Sequence, residues 1–231
     1  TAFEVLNGVF PQAIEASNRV SLGVLPLGTG NSFLRDFTDE GADYAVRSMI
    51  EGQHRVCDVI QLTHDDGVLY FMNLMSLGFV ADVCALANRR FKRFGDLGYV
   101  MGVFSEVARL KPSCFPMRAD LGITDEQAVT FVSISNSRFT GDKMMMAPQA
   151  QTDDGQADLI RVGEMGRWSL LRTFPKIFKG THVDHPMVSQ SRVRTVEFDL
   201  QQEVDAMIDG EVLRLQPRRL QVLPGALLVR V

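Results

Sequence analysis

Hydrophobic positions recur along this chain with two different periods. Near the start, Val5, Leu6, Val9, Phe10, Ala13 and Ile14 fall at helical spacing, interrupted by Gly8 and Pro11, so a kinked helix from Glu4 to about Asn18 is expected. Val20–Leu25 is a short apolar run. It is followed by the loop Pro26-Leu27-Gly28-Thr29-Gly30-Asn31 and a helical pattern in Phe33, Leu34 and Phe37, which reads as strand, glycine loop and helix. Ala42–Glu51 fits a further helix that stops near Gly52. From Arg55 the texture changes. Val56–Leu62, an Asp65-Asp66-Gly67 turn and Val68–Leu74 make a hairpin by their turn chemistry.

Two helical stretches come next, Ala81–Phe94 and Tyr99–Leu110, and after them strands dominate. Phe115, Met117, Ala119, Leu121 and Ile123 alternate with Pro116, Arg118, Asp120, Gly122 and Thr124, the period of a half-buried strand. Val196, Phe198 and Leu200 repeat that alternation, and Val129–Ser135, Leu159–Val162, Val204–Ile208 and Leu220–Leu223 add further strands. One basic amphipathic helix, Trp168–Phe178, is set among them. The expected fold is an α/β segment over residues 1–57 leading into a mostly antiparallel β domain over residues 58–231.

Composition narrows the function classes. The 231 residues carry 24 Lys and Arg against 28 Asp and Glu, a net charge of −4, and 45% are hydrophobic, so the chain has enough apolar material for a core. An acidic balance without an RNP, zinc-finger or helix-turn-helix pattern argues against a nucleic-acid partner. The longest apolar runs, such as Val20–Leu27 and Ala226–Val231, are far shorter than the roughly 18 residues of a spanning helix. Cys57, Cys84 and Cys114 are widely spaced, which speaks against a disulfide framework or a thiolate metal site and for a reducing, cytoplasmic setting. Thr1–Phe10 lacks the basic stretch and apolar run of a secretory leader.

Three segments carry chemistry. In Leu25–Arg35, a glycine turn between a strand and a helix lets backbone N–H groups approach an anion, so phosphate is the natural ligand; the alternative is an ordinary tight turn. It is neither a P-loop, since no Gly-Lys-Ser/Thr follows, nor a dinucleotide fingerprint, since Phe33 stands where a small residue belongs. Asp153, Asp154 and Asp158 around Gly155 suit a hard cation or a solvated turn. Asp209-Gly210-Glu211 after the strand Val204–Ile208 suits magnesium binding, a general base, or a hairpin turn. Basic residues mark two further stretches. Arg89, Arg90, Lys92 and Arg93 surround Phe91, and Arg167, Arg172, Lys176 and Lys179 decorate the helix of Trp168, Leu171, Phe174 and Phe178. Each fits either an anionic lipid surface or a soluble helix packed on a sheet. Met144, Met145 and Met146 fit an acyl-chain slot or plain core.

Taken in order, the Pro-Leu-Gly-Thr-Gly-Asn loop, Asn73-Leu74 to Gly78-Phe79, Phe139-Thr140-Gly141 running into Ala147-Pro148, Asp153-Asp154-Gly155, Gly180-Thr181-His182 and Asp209-Gly210-Glu211 resemble the diacylglycerol-kinase catalytic family. That family includes sphingosine, ceramide and bacterial lipid kinases, and the resemblance spans essentially the whole chain. It implies an ATP- and Mg²⁺-dependent lipid kinase. An α/β nucleotide-binding domain, incomplete at its N-terminus, would precede a β-sandwich that holds the lipid at a membrane surface. Thr1–Gly8 is similar to a segment that opens on the last residue of a Gly-Gly-Asp-Gly-Thr motif, so the preceding residues of that motif are expected upstream.

By the same resemblance, Thr1, Glu4, Gly28, Thr29, Gly30 and Asn31 face the nucleotide. Asp209 is the base on the lipid hydroxyl or a magnesium ligand, with Glu211 beside it. Asp154, with the carbonyls of Gln151 and Gln156, holds a structural magnesium. Ser32 departs from the pattern, because many members carry Asp there, and a hydroxyl brings no charge to a metal. Two rival readings are a kinase of the same superfamily acting on a soluble substrate such as NAD or a sugar phosphate, and a non-catalytic lipid-binding fragment.

Overall fold

The computed structural model describes residues 2–12, 20–27, 31–86, 105–122, 124–141 and 143–231. The helices are α1 (Ala2–Val9), α2 (Ala42–Glu51), α3 (Phe79–Leu86) and α4 (Arg167–Thr173), with short 3₁₀ helices at Phe33–Asp36, Asp120–Gly122, Phe174–Lys179 and Thr181–Asp184. The strands before the long central ones are β1 (Val20–Gly23), β2 (Arg55–His64), β3 (Gly67–Phe71), β4 (Leu74–Gly78), β5 (Ser113–Cys114), β6 (Met117–Ala119) and β7 (Thr124–Asp125). Then come β8 (Ala128–Ser135), β9 (Phe139–Thr140), β10 (Met144–Met145), β11 (Ala157–Gly163), β12 (Val188–Val193), β13 (Thr195–Phe198), β14 (Val204–Ile208), β15 (Glu211–Leu215) and β16 (Pro217–Arg230).

One sheet runs β3-β2-β16-β13-β6-β7, with β1 added parallel to β16; the other runs β12-β11-β8-β4-β14-β15, with β5 on β8. Their facing sides bury Ile60, Leu62 and Phe71 of the first sheet against Met75, Leu77, Val132 and Ile134 of the second. This is a sandwich core built from alternating positions. The outer face of the second sheet is covered by α3 and α4 through Leu74, Phe79, Val83, Val162, Leu170 and Met207. A separate core gathers Leu6, Phe10, Leu34, Ala45, Val59 and Tyr70 with Leu227 and Val229. β2 serves both cores: Cys57 and Val59 face the α/β side, Ile60 and Leu62 the sandwich. That is why Cys57–Ile60 is buried without a break.

The α/β-then-sandwich architecture is as expected, and α2 ends as expected, with Gly52 left-handed and its N–H on the Ser48 carbonyl. Several boundaries differ for physical reasons. The second hairpin strand ends at Phe71 instead of Leu74, and the chain crosses at Met72-Asn73 into the other sheet. The alternating run Phe115–Ile123 is not one strand. It breaks at a 3₁₀ turn where the Asp120 carboxylate accepts the N–H groups of Arg194 (2.9 Å) and Thr195 (3.4 Å). The helix expected over Trp168–Phe178 becomes 3₁₀ from Phe174, because Pro175 has no N–H to continue the α ladder. The helix after the glycine loop shrinks to Phe33–Asp36, and Leu220–Leu223 is a piece of the much longer β16. Residues 13–19 of the expected first helix, residues 28–30 and the 89–94 basic stretch lie outside the described residues, as do residues 87–94 of Ala81–Phe94 and 99–104 of Tyr99–Leu110; Phe79–Leu86 and residues 105–107 are helical.

Candidate active site

A cleft of about 660 Å³ opens where the α/β core meets the sandwich. Its walls are the start of α1, the segment after β1, the 3₁₀ turn at Phe33, the β3–β4 crossover, β9 and the β14–β15 turn. Asn31, Asp209 and Glu211 line it; Glu4 is exposed on α1, where its neighbours Ala2 and Phe3 are the lining residues. Thr1, Gly28, Thr29 and Gly30 lie outside the described residues.

Asp209 and Gly210 form the two-residue connection of a hairpin, Ile208 pairing with Glu211, and both have positive φ, 48° and 91°. An Asp-Gly pair is what such a turn favours. The turn also has a second task. The Asp209 Oδ1 accepts the N–H groups of Asn73 (3.0 Å) and Leu74 (3.0 Å), its Oδ2 that of Met72 (3.1 Å), and its own N–H reaches the Leu74 carbonyl (3.0 Å). Those three N–H groups are withdrawn from the sheet ladder, which is why β3 stops at Phe71. Of the four lone-pair positions on the carboxylate, three are used and one on Oδ2 remains. Burial pushes the Asp209 carboxyl up to about 6, the three N–H donors opposing it only in part. A base of that strength is ionised at neutral pH and still able to take a proton. Glu211 is exposed at the rim.

Asn73 joins this carboxylate to the segment that follows the glycine loop. Its Nδ2 donates to the Ser32 Oγ (3.0 Å), and its Oδ1 accepts from the Ser137 hydroxyl. Ser32 therefore serves as a buried hydrogen-bond acceptor. Beside it, Asp36 is clasped by Arg138, whose Nε donates to Oδ1 at 2.8 Å and whose Nη2 donates to the Asp36 carbonyl at 3.1 Å. These bonds fix the 3₁₀ turn against the β8–β9 loop. Asn73 stands inside a motif that the sequence marks without giving it a role, and Arg138 directly precedes the Phe139-Thr140-Gly141 motif; nothing local in the sequence signals Asp36.

The turn Asp153-Asp154-Gly155 lies apart from the residues that line the cleft. Gln151, Asp154 and Gln156 lie along the segment before β11, which turns at residues 152–155 with Gly155 at φ 71°. The Asp154 Oδ1 accepts the Gln156 N–H (3.0 Å), whereas its Oδ2 is buried without a hydrogen bond, with Arg192 Nη1 at 3.5 Å. Asp58, which sequence reasoning missed, grips the same turn: its carboxylate accepts the N–H groups of Gly155 and Gly225, each at 2.7 Å. Its sequence signal is a lone acid inside the apolar run Val56-Cys57-Asp58-Val59-Ile60. Burial, with Asp154 nearby, raises the carboxyls of Asp58 and Asp158 above the ordinary aspartate value. Among the described residues no three acidic, His or Cys side chains converge as a metal cage. A carboxylate with an unsatisfied buried oxygen, amid the buried charge of Asp58 and Asp158, nonetheless fits a hard cation such as Mg²⁺.

Comparison with known proteins decides the family. Residues 73–231 match the family described as the YegS C-terminal NAD kinase beta sandwich-like domain, and residues 1–62 the diacylglycerol kinase catalytic domain. A diacylglycerol kinase of Mycobacterium tuberculosis is 30% identical over 230 residues, covering 96% of this chain and 74% of the relative. The chain belongs to the diacylglycerol kinase family. The diacylglycerol kinase of Bacillus subtilis strain 168 is 25% identical over 91% of this chain and 68% of its own length. A diacylglycerol kinase structure from Bacillus anthracis strain Sterne superposes with a TM-score of 0.66 over 99% of this chain and 72% of the other, at 17% identity. A second structure from that organism reaches 0.75 at 22% identity, with the same coverage. Those structures share the fold. Membership makes the protein a kinase, an enzyme that transfers a phosphoryl group, with ATP as the phosphate source that such a family implies.

Proposed function

We propose that this kinase transfers the γ-phosphate of ATP to a lipid hydroxyl, as on diacylglycerol or a sphingoid-type lipid, with residues 1–57 serving the nucleotide and 58–231 the acceptor. The observation that carries the reading is the Asp209 carboxylate, held by three N–H groups in a cleft whose apolar lining comes from both segments, Phe3, Leu25, Leu27 and Phe33 from the first and Met72 and Leu74 from the second. A base in a largely apolar cleft suits a hydroxyl attached to an apolar body. In this reading the free position of Oδ2 accepts the hydroxyl proton as its oxygen attacks the γ-phosphorus, and the bond to the β-phosphate oxygen breaks, leaving ADP. The N–H groups of residues 72–74 keep the carboxylate in place throughout.

Asn31 with Gly28, Thr29 and Gly30, and Thr1 and Glu4 by resemblance, are assigned to the nucleotide. Glu211 supports the reaction from the rim. Asp154, with the Gln151 and Gln156 carbonyls, would hold a structural Mg²⁺; that ion supplies positive charge to a turn where buried carboxylates crowd. The relatives named as diacylglycerol kinases support the lipid acceptor. The full-length protein, given labelled ATP and diacylglycerol in detergent micelles, is expected to label the lipid and to ignore NAD and sugar phosphates. Labelling of a soluble acceptor in preference to lipid overturns the reading.

A further inference from the structure

We infer that the exposed face of α4 and of the 3₁₀ helix Phe174–Lys179 is a docking surface for an anionic membrane; its bearing on activity rests on the lipid reading above. Helical spacing sets the buried Leu170, Thr173 and Ile177 on one side. On the other side stand Trp168, Arg172, Pro175 and Phe178, all exposed. Trp168 is 80% exposed, and Phe178, whose ring stands edge-on to Phe174 at 6.0 Å, is still 46% exposed, so the packed-helix reading accounts for the inner stripe but not for the Trp168 ring or the outer half of Phe178.

Their surroundings point to the partner. Arg167, Arg172, Lys176 and Lys179 are exposed, and residues 167–179 contain no acid although the chain as a whole has a net charge of −4. Among the described residues none of these four cations pairs with a carboxylate. The nearest acids in sequence, Glu164 and Asp184, lie beyond the two ends of the segment. Unpaired cations around exposed aromatic rings match an interface where rings enter the head-group layer and cations meet lipid phosphates. The location is also suitable. The 3₁₀ helix packs against β10, β10 pairs with β9, and Thr140 of β9 lines the cleft. A bilayer resting on this face lies one narrow hairpin away from the cleft rim.

The test is co-sedimentation of the full-length protein with vesicles of equal parts phosphatidylglycerol and phosphatidylcholine, and with phosphatidylcholine alone. The wild type is expected on the anionic vesicles. The triple variant Arg172→Ala, Lys176→Ala, Lys179→Ala should bind about 100-fold more weakly, at about fivefold per cation near such a surface. Trp168→Ser should also weaken binding, and both variants should keep the wild-type melting temperature, since all four side chains are exposed. Variants that bind like the wild type, or a wild type that ignores anionic vesicles, overturn the inference. Diacylglycerol in neutral detergent micelles separates this from the lipid reading: the variants should phosphorylate it at the wild-type rate. If the wild type labels no lipid in micelles, the lipid reading fails whatever the vesicles show.

Discussion

Two Asp-Gly turns, Asp209-Gly210 and Asp154-Gly155, look alike in sequence and differ in how their carboxylates are used. Asp209 reaches across to the β3–β4 crossover and takes three backbone N–H groups. Asp154 bonds locally, to the Gln156 N–H, and leaves a buried oxygen unsatisfied near Arg192. One carboxylate is held by three fixed donors and keeps a single acceptor position for a proton; the other keeps a buried oxygen that no hydrogen bond satisfies. The partners, and not the turn type, set the chemistry.

The largest effect should separate the two by activity. Asp209→Asn is expected to lower kcat by about 10²–10⁴-fold, the contribution of a general base. It should also destabilise, because the amide Nδ2 cannot accept one of the three N–H groups, at about 1–3 kcal/mol for a buried unpaired group. Steady-state kinetics with denaturant melts measure both, and full activity in a stable variant removes Asp209 from catalysis. The pH dependence sharpens the point. With the folded carboxyl at about 6, above the ordinary 3.8, kcat/KM should fall as pH drops below about 6. The stability from this group runs the other way: it is present below the ordinary value and lost as pH rises through about 6. Asp209→Asn should abolish the acid limb of the rate and flatten that slope of stability.

Asp154→Ala should act on stability alone. Without magnesium, losing the bond to the Gln156 N–H costs about 1 kcal/mol. With magnesium at a hundred times its dissociation constant, the wild type gains about 2.7 kcal/mol that the variant does not. Melting curves with magnesium and with chelator check this, and equal magnesium shifts in the two proteins would place the ion elsewhere. The smallest effect belongs to Glu211→Gln. An exposed charge acts through solvent, so kcat should change by less than about tenfold; a loss as large as that of Asp209→Asn would move the base to Glu211.

Local signals located much of this. The Ala42–Glu51 helix, the strand Val204–Ile208 and its Asp-Gly hairpin were legible because propensity, periodicity and turn chemistry agree there. The failures share a cause. Val68–Leu74 and Phe115–Ile123 keep a strand's alternation, yet each is interrupted by a hydrogen bond to a residue distant in sequence: Asp209 takes N–H groups at the end of the first, and Asp120 within the second takes the N–H of Arg194. Alternation counts side chains and is blind to where backbone N–H groups go. The site divides the same way. Asp209 was visible as a motif, whereas the Ser32–Asn73–Ser137 chain and the Asp36–Arg138 clasp exist only once the chain has folded.

The strand β16 has a consequence for how the molecule assembles. Val20 meets Leu227 and Gly23 meets Arg230 in its parallel pairing with β1, and Leu227 and Val229 sit fully buried among Leu6, Phe10 and Val59. These contacts join segments from opposite ends of the sequence, and such closures are slow because the intervening chain must first be ordered. The antiparallel hairpins β2–β3 and β14–β15 can zip locally and early. During synthesis, then, α1 emerges well before β16, which brings Leu227 and Val229, the last part of its cover. The α/β half waits, open to solvent and to chaperones, until β16 arrives to close it.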